Sequence, residues 1–277
     1  MTVRIVTDSA CDLTDDEVAQ WGVEVVSLTI RFGQEEFIDR TELPVSEFYR
    51  RLALSAELPQ TAAPAPGAFA QAYERLRADG ASAIVSINLS SELSATMQSA
   101  QTAASSFSAI PVHVVDSRSI TAGLGQLVLT AAALARDGAD AETIVKEVDA
   151  LKGRQRIYGT LDTLEYLKKG GRIGGAQAML GSMLSIKPLL DISSGRVEEA
   201  GKTRTRKKAL QWLRDQVMQH YPVDNLNVIH SEAPDIEDFL DLLRPDIDLT
   251  QVRVGPIGAV IGSHGGPRIV GVAFHVR

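Results

Sequence analysis

A run of hydroxyl-bearing residues follows a short apolar segment in the first half of the chain. Residues 83–87 read Ala-Ile-Val-Ser-Ile, which predicts a buried parallel strand, and residues 90–96 then open a predicted helix. In a parallel α/β fold, free N–H groups and the helix dipole at this position favour a carboxylate or phosphate, and Ser94 would add a donor. A serine that caps the helix without any ligand is the alternative, and the residues leave both open.

A second candidate is the histidine of a glycine-rich segment near the C-terminal end. Residues 255–267 read Gly-Pro-Ile-Gly-Ala-Val-Ile-Gly-Ser-His-Gly-Gly-Pro and place His264 after an apolar strand. Glycines let the backbone approach a ligand closely, which makes His264 a candidate binding residue. A turn whose histidine is hydrogen-bonded for structural reasons alone is equally compatible with the sequence.

Two further segments carry candidate residues. Thr61 lies in a proline-bounded turn, residues 59–64, where the residues alone favour a plain loop with local capping. Arg172 ends a basic patch, residues 168–172, which is either a solvated helix terminus or a docking point for an acidic or phosphate-bearing partner.

Common catalytic and cofactor motifs are absent from the sequence. The first predicted strand is not followed by Gly-x-Gly-x-x-Gly, and there is no phosphate-binding P-loop. Neither a Gly-x-Ser-x-Gly nucleophile elbow nor a His-Glu-x-x-His zinc motif occurs. Nothing in the sequence therefore indicates a catalytic triad or a metal cage, and we expect neither a metal nor a cofactor.

The elements that position these residues alternate between strand and helix. Apolar runs at residues 4–7, 23–30, 83–87 and 112–115 predict strands, with amphipathic helices between them. This order predicts an α/β fold with a parallel sheet and helices on both faces. After the helix that ends near residue 153 the sequence becomes rich in glycine and leucine. We therefore predict two domains, residues 1–155 and 156–277.

The composition of the 277-residue chain sets outer limits on its function. It is 44% hydrophobic and 5% aromatic with a net charge of -7, which disfavours a generic nucleic-acid binder. Cys11 is the single cysteine, so an internal disulfide is impossible and a reducing compartment is favoured. With no basic leader and no apolar run of membrane-spanning length, we expect a cytoplasmic protein.

Taken together and in order, these segments resemble the DegV family over essentially the full length. The resemblance rests on six collinear blocks: Val6–Leu13 with its Thr-Asp-Ser start, Leu93–Ala100, Val115–Arg118, Leu164–Arg172, Lys187-Pro188 and Ile261–Pro267.

The resemblance implies a parallel-sheet three-layer domain and a mixed-sheet domain with a long-chain fatty acid, such as palmitate, between them. It implies that Thr61 and Ser94 hold the carboxylate near His264 and that Arg172 is a partner-docking arginine. In some bacteria such proteins present the fatty acid to a separate fatty-acid kinase, which forms an acyl phosphate. Transient membrane contact would serve lipid exchange, whereas nucleic acid is not an expected partner.

Three positions depart from the family pattern. Ala62 replaces the usual serine after the threonine, Ala95 replaces a glycine after the serine, and Arg268 replaces a glycine after Gly-Pro. The missing hydroxyl at Ala62 removes one potential donor to the head group. Ala95 is harmless in helical geometry but not at a position that needs positive φ.

A fatty acid also requires an apolar slot for its tail. Residues 178–186 are rich in leucine and methionine, which adapts to flexible chains, although ordinary helix packing is the commoner use of such a pattern. The candidate tail-lining residues are Met179, Leu180, Met183, Leu184 and Ile186.

The leading hypothesis is a fatty-acid carrier without catalytic activity. The alternative is an acyl hydrolase or transferase with Ser94 as nucleophile and His264 as base. Against the alternative stand the missing third member of a triad and the missing elbow.

Overall fold

The computed structural model describes residues 2–181 and 186–277. In chain order the strands of this part are β1 (Val3–Asp8), β2 (Glu24–Val26), β3 (Thr29–Phe32), β4 (Glu35–Ile38), β5 (Gln60–Ala62), β6 (Ala83–Asn88), β7 (Val112–Asp116), β8 (Gln155–Thr160), β9 (Lys187–Asp191), β10 (Glu198–Thr203), β11 (Val223–His230), β12 (Arg253–Pro256) and β13 (Val270–Val276). The α-helices are α1 (Asp15–Trp21), α2 (Val45–Leu54), α3 (Pro66–Ala78), α4 (Thr96–Ser106), α5 (Thr121–Arg136), α6 (Ala141–Arg154), α7 (Glu165–Lys169), α8 (Arg206–His220), α9 (Ile236–Leu243) and α10 (Ala259–Gly265), and a longer 3-10 helix spans Gly174–Gly181.

A four-stranded parallel sheet with helices on both faces forms the first domain. The strand order is β2-β1-β6-β7, and every pairing is parallel. Side chains alternate across β1: Ile5 packs in the core shared with α5 and α6, whereas Val6 packs in the core shared with α3 and α4. The predicted parallel sheet with helices on both faces is confirmed.

A small antiparallel sheet, order β4-β3-β5, was not predicted from the sequence. The single strand predicted for residues 23–30 is wrong, because the chain leaves the parallel sheet after Val26 and begins β3 at Thr29. The break is held by the backbone N–H of Leu28, which donates to the hydroxyl of Ser9 (3.1 Å). The plain loop favoured at residues 59–64 is also wrong, because Thr61 lies in β5 and pairs with Ile30 of β3.

The second domain is built on a six-stranded mixed sheet, order β10-β9-β8-β13-β11-β12. Only β11 and β12 run parallel, and β9 and β10 form an antiparallel hairpin. Along β13, Val272 packs in the core shared with α8 and α9, whereas Ala273 faces the other way, toward the first domain. The mixed sheet agrees with what the family resemblance implies.

The two domains meet along that second face. The chain passes from α6, which ends at Arg154, directly into β8, which begins at Gln155, so the predicted boundary near residue 155 falls between two elements. As a division into separately folding units it stays a prediction. Across the seam, the buried hydroxyl of Ser90 donates to the carbonyl oxygen of Gly195 (2.7 Å).

In the ranges 2–181 and 186–277, no helix is both long enough and apolar enough to cross a membrane.

Candidate functional site

A narrow cavity lies between the two domains. The space between its lining atoms amounts to about 860 Å³, open solvent at the mouth included, of which about 100 Å³ admits the centre of a water molecule. Most of the lining is aliphatic and comes from both sides of the seam. The first domain contributes Leu28, Leu89, Leu93 and Ile120, and the second contributes Ile157, Leu190, Ile192, Ile229, Ile257 and Ile269 among others.

Polar side chains are few in this lining. Among the described residues that line the cavity, the polar ones are Thr61, Ser94, Thr121, Tyr158, Arg172 and His264. The ring of Tyr158, however, packs on the opposite face of the sheet, against Trp212 and Phe274. Four of these six were selected from the sequence as site residues. The structure therefore brings Thr61, Ser94 and His264, which come from three separate elements, to one cavity.

Thr61 and His264 are in direct contact. The hydroxyl oxygen of Thr61, in β5, lies 2.8 Å from Nε2 of His264, in the last turn of α10. Nδ1 of His264 is buried, has no hydrogen-bond partner among the described residues and lies beside Gly170. Burial, and secondarily the charge of Arg172, lowers the pKa of His264 to about 4. The imidazole is therefore neutral at pH 7, with one nitrogen that donates and one that accepts.

Ser94 lies just before α4. Its hydroxyl oxygen is 2.9 Å from the hydroxyl oxygen of Thr96 and accepts from the backbone N–H of Thr96 (3.3 Å). Ala95, between them, has φ -77° and ψ 4°, so replacing the family's glycine by alanine strains nothing here. No hydrogen bond joins Ser94 to His264 among the described residues, although the alternative hydrolase mechanism would need one.

Arg172 connects the serine loop to the histidine. Its Nε donates to the carbonyl oxygen of Leu93 (3.2 Å), and its Nη1 donates to the carbonyl oxygen of Gly170 (2.7 Å), which adjoins His264. The side chain is partly buried and lines the cavity, so it is less of a surface feature than the sequence indicated. Its role in partner docking stays a prediction.

A polar chamber adjoins the cavity at this point. It shares Thr61, Arg172 and His264 with the cavity and adds Lys169 and Ser263. The chamber was not predicted, because the small sheet that brings residues 58–61 to it has no clear sequence signal. Two of the three residues of the candidate head-group site, Thr61 and His264, therefore line this polar chamber as well as the apolar cavity.

The predicted tail-lining residues are placed differently from expectation. Met179 is buried in the apolar cluster that surrounds the cavity, and Ile186 packs against this cluster, whereas Leu180 is 39% exposed. Met183 and Leu184 lie outside the described residues. The described members of the set are not among the residues that line the cavity, whose walls come from strands, helices and loops of both domains.

Ala62 points away from the site. Successive residues of a strand face opposite sides, so Thr61 faces the cavity while Ala62 is exposed. A serine at position 62 would therefore add its hydroxyl to the outer face of β5 and not to the cavity.

Asp8 fixes the position of a cavity-lining residue, Leu89. It is not among the predicted site residues, although it lies in the Thr-Asp-Ser start. Its carboxylate accepts from the backbone N–H of Leu89 (2.8 Å) and of Ala10 (3.1 Å) and from the side chain of Asn88 (3.2 Å). These bonds join the ends of β1 and β6 and fix Leu89, the first lining residue after β6. Burial raises the pKa of Asp8 to about 6.

Fold and cavity together define a two-domain α/β protein with an apolar, polar-ended cavity at the domain seam. The chain belongs to the DegV family, a family of uncharacterised proteins whose model matches residues 2–277. It is 38% identical over 281 residues to a DegV domain-containing protein of Streptomyces coelicolor and 35% identical over 281 residues to one of Halalkalibacterium halodurans. Each match covers 99% of both chains.

Solved structures of similar proteins show the same fold over the whole chain. A DegV family protein from Thermus thermophilus, described by its fatty acid binding, has a TM-score of 0.90 at 33% identity and full coverage of both chains. DegV of Bacillus subtilis, described as a fatty acid binding protein, has a TM-score of 0.87 at 31% identity with the same coverage. The predicted family and the predicted two-domain fold are confirmed.

Proposed function

We propose that this protein binds one long-chain fatty acid, such as palmitate, in the cavity between its domains. The carboxylate lies among Thr61, Ser94 and His264, and the acyl chain lies along the aliphatic walls. The observation that carries this proposal is the lining, which is aliphatic except for a few polar residues that include Thr61, Ser94 and His264. The fatty acid binding described for the Thermus and Bacillus relatives supports it.

The acyl chain supplies the affinity. Burial of a methylene group is worth roughly 0.8 kcal/mol, so a sixteen-carbon chain gains about 10 kcal/mol before the costs of binding are subtracted. The head group then needs only to be oriented. Hydroxyls and a neutral imidazole suffice for this, and a salt bridge is not required.

A clamp of hydroxyls and a neutral imidazole, beside an Arg172 guanidinium that donates to the carbonyl oxygens of Leu93 and Gly170, suits a carrier whose cargo is modified in place. We infer that the carboxylate is presented to a separate fatty-acid kinase and that the polar chamber beside Thr61 and His264 gives the kinase its approach. An ion pair would hold the carboxylate oxygen that must attack the phosphoryl donor, whereas hydroxyls can re-pair around a phosphate. Within this proposal the chain acts in the cytoplasm, catalyses no reaction and uses no cofactor other than its bound lipid.

Binding of palmitate and of 1-hexadecanol to the delipidated protein tests the head-group assignment. The wild type is expected to prefer the acid, and the double variant Thr61→Ala/Ser94→Ala is expected to lose this preference while still binding the alcohol. Thr102→Ala/Ser105→Ala is a matched control, because both hydroxyls are exposed on α4 and bond only to their own helix. Equal preference in the wild type and the Thr61/Ser94 variant would show that these hydroxyls do not recognise the carboxylate.

The alternative function, acyl hydrolysis or transfer, makes the opposite prediction. Incubation with acyl esters should give no turnover if the protein is a carrier. Turnover that is lost in Ser94→Ala and in His264→Gln would support the enzyme. In the structure the Ser94 hydroxyl pairs with Thr96 and the His264 ring with Thr61, which favours the carrier.

Presentation to a kinase is tested separately. Palmitate-loaded protein, ATP and the fatty-acid kinase of a relative should yield an acyl phosphate that hydroxylamine traps as the hydroxamate. Arg172→Gln is expected to lower the yield per bound palmitate, and palmitate occupancy is measured separately because Arg172 also lines the cavity. A yield that stays at the wild-type level would remove Arg172 from the docking surface.

A further inference from the structure

Four residues stand in register across the second sheet on the face toward the cavity. Leu190 of β9 pairs with Gly159 of β8, Gly159 pairs with Gly271 of β13, and Gly271 pairs with Ile229 of β11. All four line the cavity. Because neighbouring strands lie about 4.8 Å apart, the two glycines leave a bare strip about two strands wide between two branched side chains. Only backbone atoms form the cavity wall along this strip.

Neither backbone strain nor crowding explains the glycine at position 159. Its φ lies outside the left-handed region, and an added Cβ would meet no atom closer than the carbonyl oxygen of Val270 at 3.9 Å, an ordinary contact. At Gly271 the added Cβ would lie 3.0 Å from the carbonyl oxygen of Tyr158 and 3.3 Å from Cγ1 of Ile229, so that position is tight. A glycine inside a strand weakens the strand and often marks close approach of a ligand.

We propose that Gly159 is a specificity-determining residue that sets how long an acyl chain the cavity accepts. The inference rests on the proposed function. Gly159 is buried yet its Cβ position has free space, and that space belongs to the cavity. A side chain at position 159 would occupy volume that acyl carbons otherwise fill. At position 271 a side chain would also clash with neighbouring protein atoms, so the ligand is not the only reason for a glycine there.

A graded series of variants tests this. Gly159→Ala, Gly159→Val and Gly159→Leu add one, three and four carbons, respectively, to the cavity wall. The delipidated proteins are offered an equimolar mixture of saturated acids from twelve to eighteen carbons, and the bound acids are identified by native mass spectrometry. The ratio of bound octadecanoate to dodecanoate should fall stepwise along the series, by about tenfold or more in the leucine variant.

Gly255 is the matched control. It pairs with Ile229 in the same row, on the outer strand β12, does not line the cavity, and its added Cβ would meet nothing within 4 Å. Gly255→Ala and Gly255→Leu should leave the ratio of bound acids unchanged. Thermal unfolding of each variant is recorded in parallel, and the alanine variant, which adds the least volume, keeps the test valid if the leucine variant does not fold.

Each outcome decides the inference. An unchanged ratio in folded Gly159 variants would overturn it, as would an equal loss of all chain lengths, because that indicates general damage to the cavity. A shift of the same size in the Gly255 variants would overturn it too. A wild-type protein that binds none of the acids would instead refute the proposed function, so the two failures are distinguishable.

Discussion

The hydroxyl oxygen of Thr61 lies 2.8 Å from Nε2 of His264, although 203 residues separate the two in the chain. The contact joins the small sheet of the first domain to α10 of the second. It also places a neutral imidazole beside a hydroxyl at the polar end of an apolar cavity. This pair is the structural centre of the proposed carboxylate site.

The position of His264 depends on the absence of a side chain at Gly170. Nδ1 of the ring and an added Cβ at Gly170 would overlap, although the backbone there, with φ -75° and ψ -6°, is ordinary. Gly170→Ala is therefore expected to displace the ring and to weaken palmitate binding about tenfold, on the order of 1.4 kcal/mol. Isothermal titration of the delipidated protein measures the effect.

Gly153→Ala is the control for this substitution. Gly153 lies in α6, and its added Cβ would meet nothing within 4 Å. Alanine there should leave palmitate affinity unchanged and raise the free energy of unfolding by about 0.5–1 kcal/mol. Unchanged affinity in Gly170→Ala would show that the ring position does not matter for binding.

Asp12 should make stability depend on pH in the range 6.5 to 8. Burial raises the pKa of its carboxyl group from 3.8 to about 8, even though the backbone N–H of Gly258 donates to it across the domain seam. Between these two values the native state holds a proton that the unfolded state has lost. The free energy of unfolding therefore falls as pH rises, by up to about 1.4 kcal/mol per pH unit.

The titration of His264 changes the free energy of unfolding in the opposite sense, and it does so at lower pH. The pKa of His264 is lowered from 6.5 to about 4, so its contribution to stability rises with pH between these values and is complete above 6.5. Denaturant unfolding between pH 6.5 and 8 therefore reports mainly on Asp12, because Asp8 and Asp39, whose pKa burial raises to about 6, are mostly ionised over this range. Asp12→Asn should flatten the slope, whereas the exposed Asp79→Asn should not. A slope that persists in Asp12→Asn would assign it to another group.

Arg268 occupies a backbone conformation that favours glycine. Its φ is +63°, and its Nε lies 3.2 Å from a carboxylate oxygen of Asp162 in a half-exposed ion pair. Arg268→Gly should change the free energy of unfolding by less than about 1 kcal/mol, because relief of strain offsets loss of the pair. Arg268→Ala should be less stable than Arg268→Gly by about 1 kcal/mol, which urea unfolding measures. The reverse order would contradict the strain argument.

Much of the fold could be predicted because its signals are local. The apolar run at residues 83–87 and the helices that flank it predict a buried parallel strand without information from the rest of the chain. The small sheet could not be predicted in this way, because Thr61 becomes part of a strand only through pairing with Ile30, a long-range contact.

Three polar residues of the cavity lining, Thr61, Ser94 and His264, could be selected from the sequence, whereas most of its apolar walls could not. Ser94 and His264 are marked by turn and glycine patterns, and family resemblance added Thr61. The cavity walls are different, because Ile157, Leu190 and Ile229 line the cavity only by virtue of strand register. Residues 178–186 have the stronger local apolar signal, yet Leu180 is 39% exposed and is not among the lining residues.

The most direct test of the central claim is native mass spectrometry of the intact protein as purified. One fatty acid per chain, released on denaturation and identified as a long-chain species, is the result that we predict. Delipidated protein should also regain one palmitate per chain when the acid is added. A chain that carries no lipid and takes up none would contradict the proposed function.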